Sequence, residues 1–191
     1  MIGKKAVPIL ELGKPGSDEH EVMGESLDIV ERLDLDPAFG PPFLVRHAAP
    51  RKDLDDWLMG PARMVMKRLT QPRYATTPLA EFQTKSARET YVRNHPLPEP
   101  ESYPQNMADS PVLIEELERY LWALEPLIHS PGGVTEGPDG KEAVSMDDIL
   151  FFPRARAITL VRGLGIPPKL RAYLDTMSEA CDIPLYDKLA S

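Results

Sequence analysis

The residues best suited to chemistry lie within the first 30 positions. Pro8 stands inside the segment from Val7 to Leu12 (Val-Pro-Ile-Leu-Glu-Leu), which predicts a β-strand. Proline lacks the N–H group that a strand interior needs. It occurs there either in an edge strand with a trans peptide bond, which is the more frequent case, or with a cis bond that turns the backbone of Val7 outward toward a peptide ligand. The dipeptide alone leaves both explanations open.

A second chemical feature is the pair Glu25-Ser26, which directly precedes the apolar positions Leu27, Ile29 and Val30 of a predicted helix. We expect Ser26 to be the N-cap of this helix. Free N–H groups at a helix N-terminus, together with a hydroxyl, form an anion site that suits the carboxylate of an amino acid. Glu25 could hold the ammonium group of the same amino acid. An ordinary helix cap explains the same two residues.

A short series of elements must position these residues. The strand at 7–12 and a second one at 21–23 are separated by turn residues and predict a hairpin, which the amphipathic helix follows. A stretch rich in proline and glycine then predicts an interdomain linker. We therefore expect one partial domain over 1–36, a linker over 37–50 and a helical domain over 51–191.

The pattern beyond the linker is helical throughout. Apolar spacing predicts one long helix over 54–69, with a bend at Gly60-Pro61. Four prolines predict a loop over 95–109. Ser110 has the position of the N-cap of the next helix, with a proline in the first turn.

Composition narrows the classes of function. The chain has 191 residues, a formal net charge of −8 and 42% hydrophobic residues, so it can bury a core but repels phosphate backbones and anionic membrane faces. We expect neither nucleic acid nor a membrane as a partner. Cys181 is the single cysteine, which excludes an intramolecular disulfide and favours a cytoplasmic location. The four histidines are scattered and predict no metal site.

Together, these features resemble the glutaredoxin 2 family, the large glutaredoxins that are built like glutathione S-transferases. The resemblance covers nearly the whole chain and rests on Met1-Ile-Gly-Lys-Lys-Ala-Val-Pro-Ile-Leu, Met23-Gly-Glu-Ser-Leu-Asp-Ile-Val, Gln71-Pro-Arg-Tyr, Glu81-Phe, Ala87-Arg, Ser145-Met-Asp-Asp-Ile-Leu-Phe-Phe-Pro and Ile158-Thr-Leu-Val. It implies a mainly α protein. A partial thioredoxin-like β-hairpin plus helix would be followed by an all-helical C-terminal domain like that of glutathione S-transferases.

The resemblance also implies a role for each site residue, with glutathione as co-substrate. Pro8 would be the family's cis-proline, and Val7 would offer its backbone to the cysteinyl part of glutathione. Glu25 and Ser26 would hold the γ-glutamyl end. Ser145 and Asp148 match the capping box of the buried helix in the second domain, where their role is in folding.

The sequence departs from the family at the catalytic motif. The family's reaction needs a low-pKa thiolate in a Cys-x-x-Cys turn at the start of the first helix. The sequence begins at what the family would place near the end of its second helix, so we interpret it as N-terminally truncated, without the first β-α-β unit and its cysteines. Cys181 is interpreted as an incidental or partly buried thiol. No catalytic residue is therefore expected among these 191 residues.

Three functions are compatible with this interpretation. The first is a glutathione-dependent thiol-disulfide oxidoreductase that acts on protein or small-molecule disulfides in its complete form and is inactive as given. The alternative is a non-catalytic glutathione-binding or protein-interaction module of the glutathione S-transferase-like fold. A glutathione transferase is less favoured, because its catalytic Ser, Tyr or Cys would lie in the same absent unit.

Overall fold

The computed structural model describes residues 8–40, 45, 51–136 and 144–191. The chain divides into two compact units, Met1–Ala48 and Ala49–Ser191. The first contains a two-stranded sheet and a helix, and the second is helical. The predicted fold class, a short thioredoxin-like start followed by a helical domain, is confirmed.

The first unit is a hairpin followed by a helix. Strands β1 (Leu10–Leu12) and β2 (Glu21–Met23) pair in antiparallel fashion, with Leu10 opposite Met23 and Leu12 opposite Glu21. Helix α1 (Ser26–Leu35) follows directly and buries Ile29. The strand predicted over 7–12 begins only at Leu10, because Pro8 has no N–H group to donate to a ladder.

The turn of the hairpin depends on Gly13. Its φ angle is 73°, and a Cβ atom at this position would lie 2.4 Å from the carbonyl oxygen of Glu19. Only glycine avoids both the strained backbone and this collision. A residue with a side chain at position 13 would therefore force this turn to change its conformation.

The second unit contains seven α-helices in its described part, and none of them is long and apolar enough to cross a membrane. They are α2 (Lys52–Met59), α3 (Pro61–Thr76), α4 (Lys85–Asn94), α5 (Tyr103–Ala108), α6 (Ser110–Leu124), α7 (Met146–Ala157) and α8 (Pro168–Cys181). Single 3-10 turns lie at Ala80–Phe82, Glu125–Leu127, Ile158–Leu160 and Asp187–Leu189.

The long helix expected over 54–69 is in fact two helices. Gly60 is extended, with φ −79° and ψ −168°, and Pro61 begins α3 at a position where its missing N–H is not needed. A Cβ atom on Gly60 would approach the carbonyl oxygen of Asp56 to 2.8 Å. The glycine therefore allows α3 to start immediately after α2 in a new direction.

Two further predictions in this unit were wrong. The segment 95–109 was expected to be a loop, but Ser102 caps the short helix α5 by accepting a hydrogen bond from the N–H of Gln105 at 3.2 Å. The N-cap of α6 is Asp109, not Ser110. Ser110 is buried inside the first turn, where its Oγ accepts a hydrogen bond from the buried Arg73 at 3.2 Å. The Ser110 hydroxyl, which local spacing predicts as a helix cap, therefore accepts a hydrogen bond from a residue far away in the sequence.

The core of the second unit lies among α2, α3, α6, α7 and α8. It is formed by fully buried leucines and aromatic rings, with Phe151 5.6 Å from Tyr173 and 6.3 Å from Trp57, measured between ring centroids. The indole N–H of Trp57 donates to the carbonyl of Tyr120 at 3.1 Å, so the ring packs without leaving a donor unpaired. Each such side chain contributes about 1.5–3 kcal/mol through burial.

Asp148 organises the polar centre of this core, and its residue surface is 0% exposed. Its carboxylate accepts hydrogen bonds from the N–H of Val134 and the N–H of Ser145, both at 2.8 Å, from the Ser145 hydroxyl at 2.7 Å and from the Tyr173 hydroxyl at 3.1 Å. The N–H of Asp148 donates back to the Ser145 Oγ at 3.3 Å. Ser145 and Asp148 thus form a capping box at the start of α7.

Replacing Asp148 by alanine should cost about 3 kcal/mol or more of unfolding free energy. The change leaves several buried donors unsatisfied, each at about 1–3 kcal/mol. Urea denaturation followed by circular dichroism measures the loss. Asp175→Ala is the matched control, because it removes an exposed carboxylate of α8 that pairs with Arg171 at 2.9 Å and should cost less than about 1 kcal/mol. Similar losses in both variants would contradict a central role for Asp148.

Candidate functional site

The hairpin brings the predicted site residues to one end of the sheet. Leu10 begins β1 and is paired with Met23, the last residue of β2. Pro8, two residues before β1, and the pair Glu25-Ser26, just after β2, therefore leave the sheet at that same end. All three residues are exposed. Val7, the fourth predicted site residue, lies outside the described residues, and so does its peptide bond to Pro8.

Glu25 has an unusual backbone conformation. Its φ and ψ angles are 68° and 112°, a sparsely populated region for a residue with a side chain. Glu25 is the N-cap of α1, and its carbonyl accepts the first helical hydrogen bond, from the N–H of Ile29 at 3.1 Å. Ser26 was predicted as the N-cap and is instead the first residue of the helix. The sharp bend at Glu25 moves the helix start one residue earlier than the sequence pattern suggested.

This bend leaves the N-terminus of α1 open. The Glu25 side chain makes no capping hydrogen bond, and the N–H groups of Ser26, Leu27 and Asp28 have no acceptor within the helix. These donors, the positive end of the helix dipole and the exposed Ser26 hydroxyl suit a carboxylate. The carboxylates of Glu25 and Asp28 lie beside them and suit an ammonium group. The arrangement is complementary to the two charges of a free amino-acid end.

Arg32 joins the helix to the hairpin. Its guanidinium donates to Glu21 of β2 at 3.0 Å and to Asp36 at 2.7 Å. The hydrogen bond from Arg32 lowers the pKa of the Asp36 carboxyl, and the same bond raises the pKa of Arg32. Arg32 thereby holds α1, and with it the open N-terminus at Ser26, against the strand that leads into it.

Cysteine and the metal-ligating residue types form no cluster in the described part of the chain. Cys181 is exposed at the end of α8, with its Sγ 3.9 Å from the carbonyl of Ser178. Among the described residues, no three His, Cys, Asp or Glu side chains come together in a way that could hold a metal ion. Ser145 and Asp148 lie inside the helical unit, where they form the capping box of α7.

No residue pattern around Glu25 predicts its strained backbone. A glycine, Gly24, directly precedes it and would be the ordinary choice for a positive φ angle, yet the structure assigns that conformation to Glu25. Strained residues of this kind cost about 1–3 kcal/mol and occur where the surrounding structure enforces them, often at binding sites. The sequence pattern predicts Glu25 as a binding residue but does not predict this backbone conformation.

Comparison with known proteins gives three concordant findings. The family model described as "Glutaredoxin 2, C terminal domain" matches residues 53–190. Glutaredoxin 2 of Escherichia coli K12 and that of E. coli O157:H7 are each 34% identical over 195 residues, covering 100% of this chain and 80% of the relative. The 1.2 Å crystal structure of glutaredoxin 2 from Salmonella typhimurium in complex with glutathione is 31% identical, with a TM-score of 0.75, and matches 100% of this chain and 80% of its own.

Glu25→Gly should strengthen the start of α1, because glycine adopts a positive φ angle without strain. The amide proton of Ile29, which bonds to the carbonyl of residue 25, reports this in native-state hydrogen exchange as increased protection. Glu31→Gly is the control: it places glycine at an exposed helical position of α1 and should reduce protection, at a cost of about 1 kcal/mol. Reduced protection in both variants would show that the backbone at Glu25 is unstrained.

Proposed function

The chain belongs to the glutaredoxin 2 family, and from that premise we propose that Val7, Pro8, Glu25 and Ser26 form part of a glutathione site. The observation that carries the proposal is the Salmonella glutaredoxin 2 structure, a complex with glutathione whose chain matches all of this one at 31% identity. The open N-terminus of α1 supports it independently, because its donors and acidic side chains suit the two charged groups of a γ-glutamyl residue.

Each residue has a distinct role in this proposal. Ser26 and the free N–H groups of the first turn bind the γ-glutamyl carboxylate, and Glu25 binds the γ-glutamyl ammonium group. Val7 pairs through its backbone with the cysteinyl part of the tripeptide, and Pro8, by means of a cis bond, turns that backbone toward the ligand. The strained conformation of Glu25 then aims its carboxylate and opens the helix N-terminus at the same time.

The reaction we propose for the family type is thiol-disulfide exchange. A cysteine thiolate of a Cys-x-x-Cys turn attacks one sulfur of a protein or small-molecule disulfide, forms a mixed disulfide and releases the other sulfur as a thiolate. The thiolate of bound glutathione then attacks the cysteine sulfur of the mixed disulfide, which releases the second sulfur of the substrate as a thiolate and leaves a cysteine–glutathione disulfide. A second glutathione thiolate attacks the glutathione sulfur of that bond, which restores the cysteine thiolate and forms glutathione disulfide. The 191 residues contain one cysteine, Cys181, which lies at the end of α8 in the helical unit. We therefore propose that this chain binds glutathione without catalysing disulfide reduction on its own.

The single cysteine also favours a second function, a non-catalytic glutathione-binding or protein-interaction module. In that case glutathione is a bound ligand and not a reductant. Both proposed functions imply a cytoplasmic location, because glutathione keeps thiols reduced in that compartment. The two functions differ in whether a Cys-x-x-Cys segment encoded in frame upstream of Met1 restores activity.

Glutathione binding should be weak and should depend on the helix N-terminus. Titration of the 191-residue chain, followed by amide chemical shifts, should give saturable changes at residues 24–28. Ser26→Ala and Glu25→Gln should each lower the affinity about tenfold, the loss expected when a hydrogen bond to a charged group is removed.

The control for this titration is Ser17→Ala combined with Glu19→Gln. It makes the same chemical changes in the hairpin turn, at the opposite end of the sheet, and should leave the affinity unchanged. Tight binding that survives Ser26→Ala, or equal losses in the control, would show that glutathione does not bind at this helix.

The purified chain should show no glutathione-dependent reduction of a small disulfide such as hydroxyethyl disulfide. The proposed reaction needs a thiolate that Cys181, at the end of α8, does not supply. Measurable turnover would contradict the proposal of inactivity. Turnover lost in Cys181→Ser would identify Cys181 as the reactive thiol, whereas turnover that persists would exclude any thiol of this chain.

A further inference from the structure

A cleft between α3 and α7 has a chemical character that the glutathione proposal does not use. Leu58, Met66 and Pro153 contribute apolar walls, and Arg63, Lys67 and Arg154 contribute cations. The cavity volume is about 270 Å³, just below the range of about 300–1,000 Å³ for small-molecule sites. Its lining belongs to the helical unit alone.

The charge of this cleft is opposite to that of the protein. The chain carries 30 acidic and 22 basic side chains, yet the described lining of the cleft includes three cations and no carboxylate. Four other clefts on the described surface of the unit each include a glutamate: Glu81, Glu89, Glu101 and Glu136. Among these five described clefts, the one between α3 and α7 is therefore lined by cations without any carboxylate.

Among the residues that the structure describes, the three cations also have no carboxylate partner. Arg63 donates to the Sδ of Met59 at 3.2 Å, and Arg154 donates to the carbonyl of Leu150 at 2.5 Å. Within the described ranges, none of the three forms an ion pair, whereas Arg68 on the same helix α3 pairs with Asp109 at 2.9 Å. Arg63 and Lys67 stand one helical turn apart, a spacing at which like charges destabilise a helix. A bound anion would relieve this repulsion.

We propose that this cleft binds a small organic anion with a flat apolar body, such as an aromatic sulfonate or carboxylate. The body lies against Leu58, Met66 and Pro153, and the acid group lies among Arg63, Lys67 and Arg154. A cleft that combines apolar walls with a few charged groups of one sign fits such a ligand, because the walls supply area and the cations supply orientation. A long polyanion is disfavoured by the net charge of −8.

The probe for this site is 8-anilinonaphthalene-1-sulfonate, titrated by fluorescence into the 191-residue chain. We expect saturable binding to one site, with amide shift changes at Lys67, Thr70 and Ala157. Arg63→Gln combined with Lys67→Gln should lower the affinity at least tenfold. Arg119→Gln combined with Lys188→Gln makes the same change in net charge at exposed positions outside the cleft and should change the affinity less than twofold. Arg154→Gln, an exposed single change, provides a second test and should weaken binding about threefold.

A neutral analogue separates the two parts of the site. N-Phenyl-1-naphthylamine lacks the sulfonate, so its affinity should be the same for the native chain and the Arg63/Lys67 variant.

Two outcomes would overturn the proposal. Equal losses of sulfonate affinity in the variant and its charge-matched control would show that the affinity depends on the net charge of the protein and not on this cleft. Shift changes confined to residues outside the cleft would also overturn it. Circular dichroism melting verifies that each variant is folded, and glutathione titration should be unaffected in all of them, so this proposal can fail without affecting the first.

Discussion

The buried carboxylate of Asp148 is the interaction on which the helical unit depends. It accepts hydrogen bonds from Ser145 at the start of α7, from Val134 in the preceding loop and from Tyr173 on α8, so a single group joins three separate parts of the chain. Desolvation of a carboxylate is costly, and only this set of donors makes its burial tolerable. The aromatic ring of Tyr173 then packs on Phe151, which couples the polar centre directly to the apolar core.

The first unit relies on local constraints instead of a large core. Ile29 is the buried residue of α1, and the two described strands have three residues each, so burial alone gives little stability. Gly13 sets the turn, Arg32 ties the helix to Glu21, and Glu25 sets the angle between strand and helix. The proposed binding groups therefore lie on a small scaffold whose geometry is fixed by individual residues.

Local signals explain what the sequence could predict. The strands, the amphipathic helix and the Ser145–Asp148 pair are recognisable because a hairpin, a helical period and a capping box are patterns of neighbouring residues. The misplaced caps have a different cause. Ser110 is used by Arg73, which is distant in sequence, and the backbone of Glu25 is bent by its surroundings, so no pattern of adjacent residue types reports either. The charged cleft is not predictable from local patterns for the same reason. Its cations come from two helices that are far apart in the chain.

The abrupt passage from strand β2 to helix α1 has a consequence for the permitted length of the chain. Only Gly24 and Glu25 separate the last strand residue from the first helical one. Since each residue of an α-helix turns by about 100°, one inserted amino acid would rotate α1 by more than a quarter turn and carry Ile29 away from the interior. An inserted residue should therefore disturb this chain less in the exposed reversal between β1 and β2 than at the junction of β2 and α1, where two residues set the rotation of the helix.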